Sequence, residues 1–154
     1  ALLLLGSENE PVNLLSRLGT ELLLVATVST FVVHGYQALQ LYGPFVDLIL
    51  LSDQRLFRLG IEQQAAEKFL LIIGWTDIAI ATLLLLTRWK FIAIYMFIWG
   101  LITASSRMAA FGIDAWPETT IRAANAGAPL ALFFLFRYLA NRKQSELVEA
   151  AGLK

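Results

Sequence analysis

Six side chains able to do chemistry fall within or at the ends of long apolar runs: His34, Glu67, Asp77, Arg107, Arg122 and Asn125. In hydrocarbon, a charged group costs roughly 2.5–3.5 kcal/mol or more unless it is paired or hydrated. Each therefore marks an ion pair, a proton-handling group or a hydrogen-bonding contact for a ligand. Spacings of three and four residues align further groups with them on one helix face. Thr20, Thr27 and Thr30 share a stripe with His34, and Gly74 and Glu67 share one with Asp77. Gly100 and Thr103 stack with Arg107, and Asn125 and Pro129 follow Arg122. At mid-run, Asp77 needs Arg107, His34 or a hydroxyl as partner, or else a proton of its own.

Depth along the helices suggests where these groups meet. At about 1.5 Å per residue, Arg107, Arg122 and Glu67 fall near one end of the bundle. His34 lies about 10 Å inside it, and Asp77 nearer the middle. The expectation is one polar pocket beneath that end. Plainer readings stand beside it. Arginines near helix ends often reach out to headgroups while their stems stay in lipid. A lone histidine among threonines can be a hydrogen-bonded packing residue, and Gly74 and Gly100 can simply let helices approach closely.

Four apolar stretches must position these groups, at about 18–41, 69–86, 91–111 and 119–139. Each approaches the ~20 residues that cross ~30 Å of hydrocarbon as a helix. Lipid offers the backbone no hydrogen-bond partners, so the runs must be helical. Gly43-Pro44 closes the first, Arg88-Trp89-Lys90 makes a tight polar hairpin between the second and third, and Trp116-Pro117 precedes the fourth. The segment 44–66 mixes apolar residues with Asp47, Asp53, Arg55 and Arg58. It reads either as an amphipathic interfacial helix over one mouth of the bundle or as a packed loop. The charged tail Asn141–Lys154 reads as a short surface helix, and the run Ala1–Leu5 as an apolar tail against membrane or partner.

The whole chain supports this single all-α membrane domain, 1–154. Of 154 residues, 58% are hydrophobic and only 16% charged, against roughly 25% charged in soluble domains; mean hydropathy is +0.66. A water-soluble fold this small lacks the interior volume to hide that much apolar surface. Basic and acidic residues balance at 12 each, giving no basic field for nucleic acid. With no cysteine and one histidine, thiolate ligands, disulfides, bis-histidine haem and a histidine-based metal site are excluded within one chain. Neither a phosphate-binding glycine loop nor a nucleophile elbow is present. Arg17, Arg88, Lys90, Arg137, Arg142, Lys143 and Lys154 lie on the side of the termini, against Arg55, Arg58, Lys68, Arg107 and Arg122 on the other. That bias predicts cytoplasmic N- and C-termini.

Three motifs in order carry a family likeness. They are Phe31-Val-Val-His34-Gly35-Tyr-Gln-Ala-Leu39, then Ile73-Gly74 leading to Asp77, then Ile121-Arg122-Ala-Ala-Asn125-Ala-Gly-Ala-Pro129-Leu130-Ala-Leu132. Over about Arg17 to Tyr138 the chain resembles the DoxX-like integral membrane proteins. Asp77 stands where that family commonly has glutamate, an arm one methylene longer. The resemblance implies a four-helix bundle in a prokaryotic cytoplasmic or photosynthetic membrane. It also implies association with redox systems, since members include a subunit linked to thiosulfate:quinone oxidoreduction. The expected function is an accessory subunit of a respiratory or photosynthetic electron-transfer complex, touching membrane lipids, other integral subunits and a quinone or lipid. The alternative is a quinone-linked oxidoreductase component moving protons through His34 and Asp77; a small transporter ranks below both.

Overall fold

The computed structural model describes residues 10–150, so Ala1–Leu5 and Lys154 lie outside the described residues. Within them the chain is all α. The helices are α1 (Glu10–Leu39), α2 (Gly43–Ser52), α3 (Gln63–Thr87), α4 (Lys90–Phe111) and α5 (Trp116–Ala150). Four stretches are long and apolar enough to cross a membrane: Ser16–Leu39, Gln63–Thr87, Lys90–Phe111 and Ile113–Arg142. Their outer faces carry large exposed apolar side chains, among them Leu22, Ile72, Trp75 and Leu86. Water would not tolerate that surface and lipid does, so the architecture is that of an integral membrane bundle.

Many of the hydroxyls bond within their own helices. Thr20, Thr27, Thr30, Thr76, Thr82, Thr87, Ser105 and Thr120 each donate to the carbonyl four residues earlier, at 2.7–2.9 Å. These hydroxyls are spent on their own helices. The threonine stripe beside His34 is thus helix-internal, with only Thr30 on the cavity described below.

Helix ends follow from local chemistry. Among the described residues, the three non-glycine residues with positive φ, Leu41, Arg58 and Arg88, each follow a helical segment, the left-handed position that turns the chain away. Pro44 occupies the first turn of α2, where a missing N–H costs nothing. Gly112 (φ +92°, ψ −176°) ends α4 in a region that only glycine occupies freely, and the Arg55 guanidinium fills the space a side chain there would need. The expected separate tail helix is instead a continuation: α5 runs unbroken to Ala150.

Segment 44–66 also resolves differently from a single interfacial helix. It comprises α2, one wide turn (Asp53–Phe57), a non-helical stretch 58–62, and the first residues of α3. Asp53 explains the break. It is buried, and its two carboxylate oxygens accept the backbone N–H groups of Leu59 and Ile61 at 2.8 Å each. The carboxylate therefore ties the return strand to the end of α2 by satisfying donors that would otherwise be orphaned. The Ile61 N–H above all, with those of Leu59 and Gly60, holds Asp53 below its ordinary value of 3.8. A carboxylate more acidic when folded than when unfolded stabilises fully above that ordinary value, and the contribution is lost as pH falls through the lower folded value. Acid titration of folding should thus show a loss of stability below about pH 3.8 that Asp53→Asn removes; identical acid limbs for both proteins would refute the clamp.

The closest pairings are α4 with α5 and α1 with α3; α1 also packs on α5, and α2 on both α4 and α3. The hairpin partners α3 and α4 touch least among these pairs. The core divides accordingly. In the half near the hairpin, Leu24, Phe31, Ala81, Leu84, Ile92, Met96, Leu132 and Phe136 from all four long helices form one apolar cluster. At the opposite end, Ala38, Val46, Ala66 and Leu70 seat α2 against α1 and α3. Outside the first cluster, at the hairpin end, Arg88 grips Glu21 with both terminal guanidinium nitrogens, at 2.6 and 2.9 Å.

Candidate functional site

Between the two apolar clusters lies a cavity of about 240 Å³. It reaches from an outer end at Arg107 and Arg122 down to Asp77 and Trp99, and Phe45, Leu48 and Ile49 of α2 roof it. Counting along the helices, Arg107 sits about 6 Å from the end of α4 and Arg122 about 9 Å from the start of α5. Five of the six expected polar residues line this space: His34, Asp77, Arg107, Arg122 and Asn125. Glu67 is not among the lining residues; it accepts a 2.8 Å hydrogen bond from Gln63 on its own helix.

The α1–α3 crossing positions the first two. A Cβ on Gly35 would stand 2.8 Å from the Gly74 carbonyl oxygen and 3.2 Å from the Asp77 Cβ, and one on Gly74 would stand 2.8 Å from the Gly35 carbonyl oxygen. The backbones meet where neither residue has a side chain, and this brings His34 and Asp77 to one space. A similar close approach sets Gly100 beside Ala126, where an added Cβ would lie 3.1 Å from the alanine methyl. It positions α4 and α5, which carry Arg107 and Arg122.

Asp77 is 5% exposed. Its partner is not Arg107, His34 or a hydroxyl: the Trp99 indole N–H donates to Oδ1 at 2.9 Å. Arg107 pairs instead with Glu118, at 3.1 Å. A signal for Trp99 does exist in the sequence. Asp77 and Trp99, 22 residues apart, are equidistant from Arg88 at the hairpin, so antiparallel helices put them at equal depth. His34 stacks on Phe45 of α2 with ring centroids 5.9 Å apart, which couples the roof to the cavity wall.

The outer end is polar and positively charged. The Arg107 side chain is only 13% exposed, and its buried Nε has no hydrogen-bond partner among the described residues. Arg122 makes no hydrogen bond or ion pair among them. Each guanidinium lies within electrostatic range of the other and of His34. Pro129, buried in α5, has no N–H and frees the Asn125 carbonyl of its helical donor, leaving an extra acceptor one turn below Arg122. Among the described residues, no group of three or more histidine, aspartate or glutamate side chains could hold a metal. The cavity thus offers aromatic and aliphatic walls, donors at the outer end and a buried carboxylate at the floor. That combination suits the head of an amphiphile and lacks an activated nucleophile for hydrolysis. Compared with family models, with curated proteins and with solved structures, the chain matches none, so the DoxX-like reading rests on its motifs.

Proposed function

We propose that this protein is an accessory subunit of a membrane redox complex, whose bundle holds the head of a membrane amphiphile, a quinone or a lipid. The observation that carries the ligand part is the cavity itself, roofed by α2 and lined by His34, Asp77–Trp99 and two arginines. At about 240 Å³ it is smaller than the ~300–1,000 Å³ of sites that take whole drug-sized molecules. It suits a ring or a short length of chain, with the remainder in lipid. A quinone carbonyl could accept from His34 or Arg107, and the flat ring matches the face of Phe45. The redox association rests on the DoxX-like motifs, and the accessory role on two features of the chain. It has no cysteine, and the connections between its long helices are too short for a soluble catalytic domain. Termini on the cytoplasmic side follow from the lysine and arginine bias.

Two measurements test this. Protein isolated in mild detergent should migrate with other integral subunits of a redox complex; recovery alone under several mild detergents would overturn the accessory role. A decyl-substituted benzoquinone should bind the purified protein, and His34→Ala should weaken it about tenfold, the loss of one good hydrogen bond and a ring contact. Absence of saturable binding to the intact protein would remove the quinone reading.

A further inference from the structure

We infer that the outer end of the cavity is a binding site for an anionic head on an aliphatic chain, with Arg107 and Arg122 as its cationic jaws. This deepens the proposed reading, resting on the cavity as a ligand site but not on the redox assignment. Charge supplies the first argument. Two arginines line one space within electrostatic range of each other; Arg107 is largely covered and Arg122 partly so, and their repulsion is screened less there than in open water. One carboxylate stands beside them, Glu118, paired with Arg107 through one terminal nitrogen and within electrostatic range of Arg122, so two cations share one anion. Asp77 cannot serve as the second anion, since Trp99 holds it at the cavity floor.

Unmet donors supply the second argument. The Arg107 Nε is buried without a partner, and the Arg122 guanidinium makes no hydrogen bond or ion pair among the described residues. A buried N–H left unsatisfied is destabilising, and guanidinium forks match carboxylate and phosphate oxygens in shape and charge. An arginine serving only as a headgroup anchor would keep its polar atoms in water; here both residues line the cavity and the Arg107 Nε is buried. The third argument is what lies beneath. Phe31, Leu70 and Ile73 line the same space about 10–15 Å along their helices from that end, beneath the Phe45 and Leu48 side of the roof. A soluble anion would leave that surface without apolar contact, whereas an alkyl chain covers it.

The test uses purified protein in phosphatidylcholine nanodiscs at pH 8, with binding to protein-free discs subtracted. The probes are dodecanoate, its uncharged methyl ester, and acetate. Dodecanoate should bind at least about tenfold tighter than the ester, as expected for one charge-assisted contact, and acetate should fail to compete at matched concentration. Arg122→Gln should shrink the acid-to-ester ratio toward one and Arg122→Lys should restore part of it, while Arg88→Gln at the opposite end leaves it unchanged. Equal binding of acid and ester would overturn the inference, as would competition by acetate as strong as that by dodecanoate. Binding of the decyl benzoquinone without dodecanoate preference would sink this inference and leave the proposed function standing. Failure of every probe would remove the cavity as a ligand site altogether.

Discussion

Gly74→Ala should destabilise the bundle by about 1–3 kcal/mol, the cost of forcing one extra carbon into a filled contact. The added Cβ would fall 2.8 Å from the Gly35 carbonyl oxygen and 2.9 Å from Leu39. The leucine tip can turn away, but the carbonyl belongs to a helix backbone and cannot. Relief therefore requires α1 and α3 to move apart, which also separates His34 from Asp77. Gly35→Ala should behave alike, because its Cβ meets the Gly74 carbonyl at the same 2.8 Å. By contrast Gly127→Ala, with open space around the site, should be neutral or stabilising, since alanine favours helix by ~1 kcal/mol. Reversible unfolding in mixed micelles measures all three. If Gly74→Ala and Gly127→Ala shift stability alike, the close crossing is not what holds α1 to α3.

Trp99→Phe should cost about 1.5–3 kcal/mol, because it leaves the buried Asp77 carboxylate without its donor. Ring volume is partly conserved, so most of the loss is hydrogen bonding rather than packing. Asp77→Asn keeps an acceptor for the indole and should cost far less than Asp77→Ala, which strands the Trp99 N–H. Combining Trp99→Phe with Asp77→Ala removes both halves of the contact. The double variant should be less destabilised than the sum of the single ones, with a coupling of about 1–2 kcal/mol. Strict additivity would show that the two side chains do not support each other.

Sequence reasoning reached the architecture because hydropathy reports which residues need lipid, and that pattern is continuous over each span. Boundaries moved where helix and lipid part company. The second span reads from about residue 69, yet α3 begins at Gln63, since Gln63, Gln64 and Glu67 are good helix formers that hydropathy discounts. Gly74 and Gly100 were legible as close-approach candidates; Gly35, which stood out only as a neighbour of His34 in the first motif, is the other half of the α1–α3 contact. Partners were harder to read. Polarity within a span says that a group must be matched but not by what, and an indole N–H inside an aromatic-rich helix looks like ordinary filling. Asp53 was hard to read for the same reason. In the sequence it is one charge in a greasy segment; in the fold it is buried and serves backbone donors six and eight residues onward. Glu67 shares a face with Asp77 by spacing alone. Being close to the start of α3, it meets Gln63 rather than the cavity.

The uneven packing of the two halves has a mechanical consequence. Four rods are stapled together at the hairpin end by a shared apolar plug, while at the other end the short α2 packs on both α3 and α4, which touch each other little. Small displacements of the rods should pivot about the stapled end and grow with distance from it. Exchange of a bound molecule would then require only that α2 shift and the rods flex at that end, with the fulcrum intact and the bundle never coming undone.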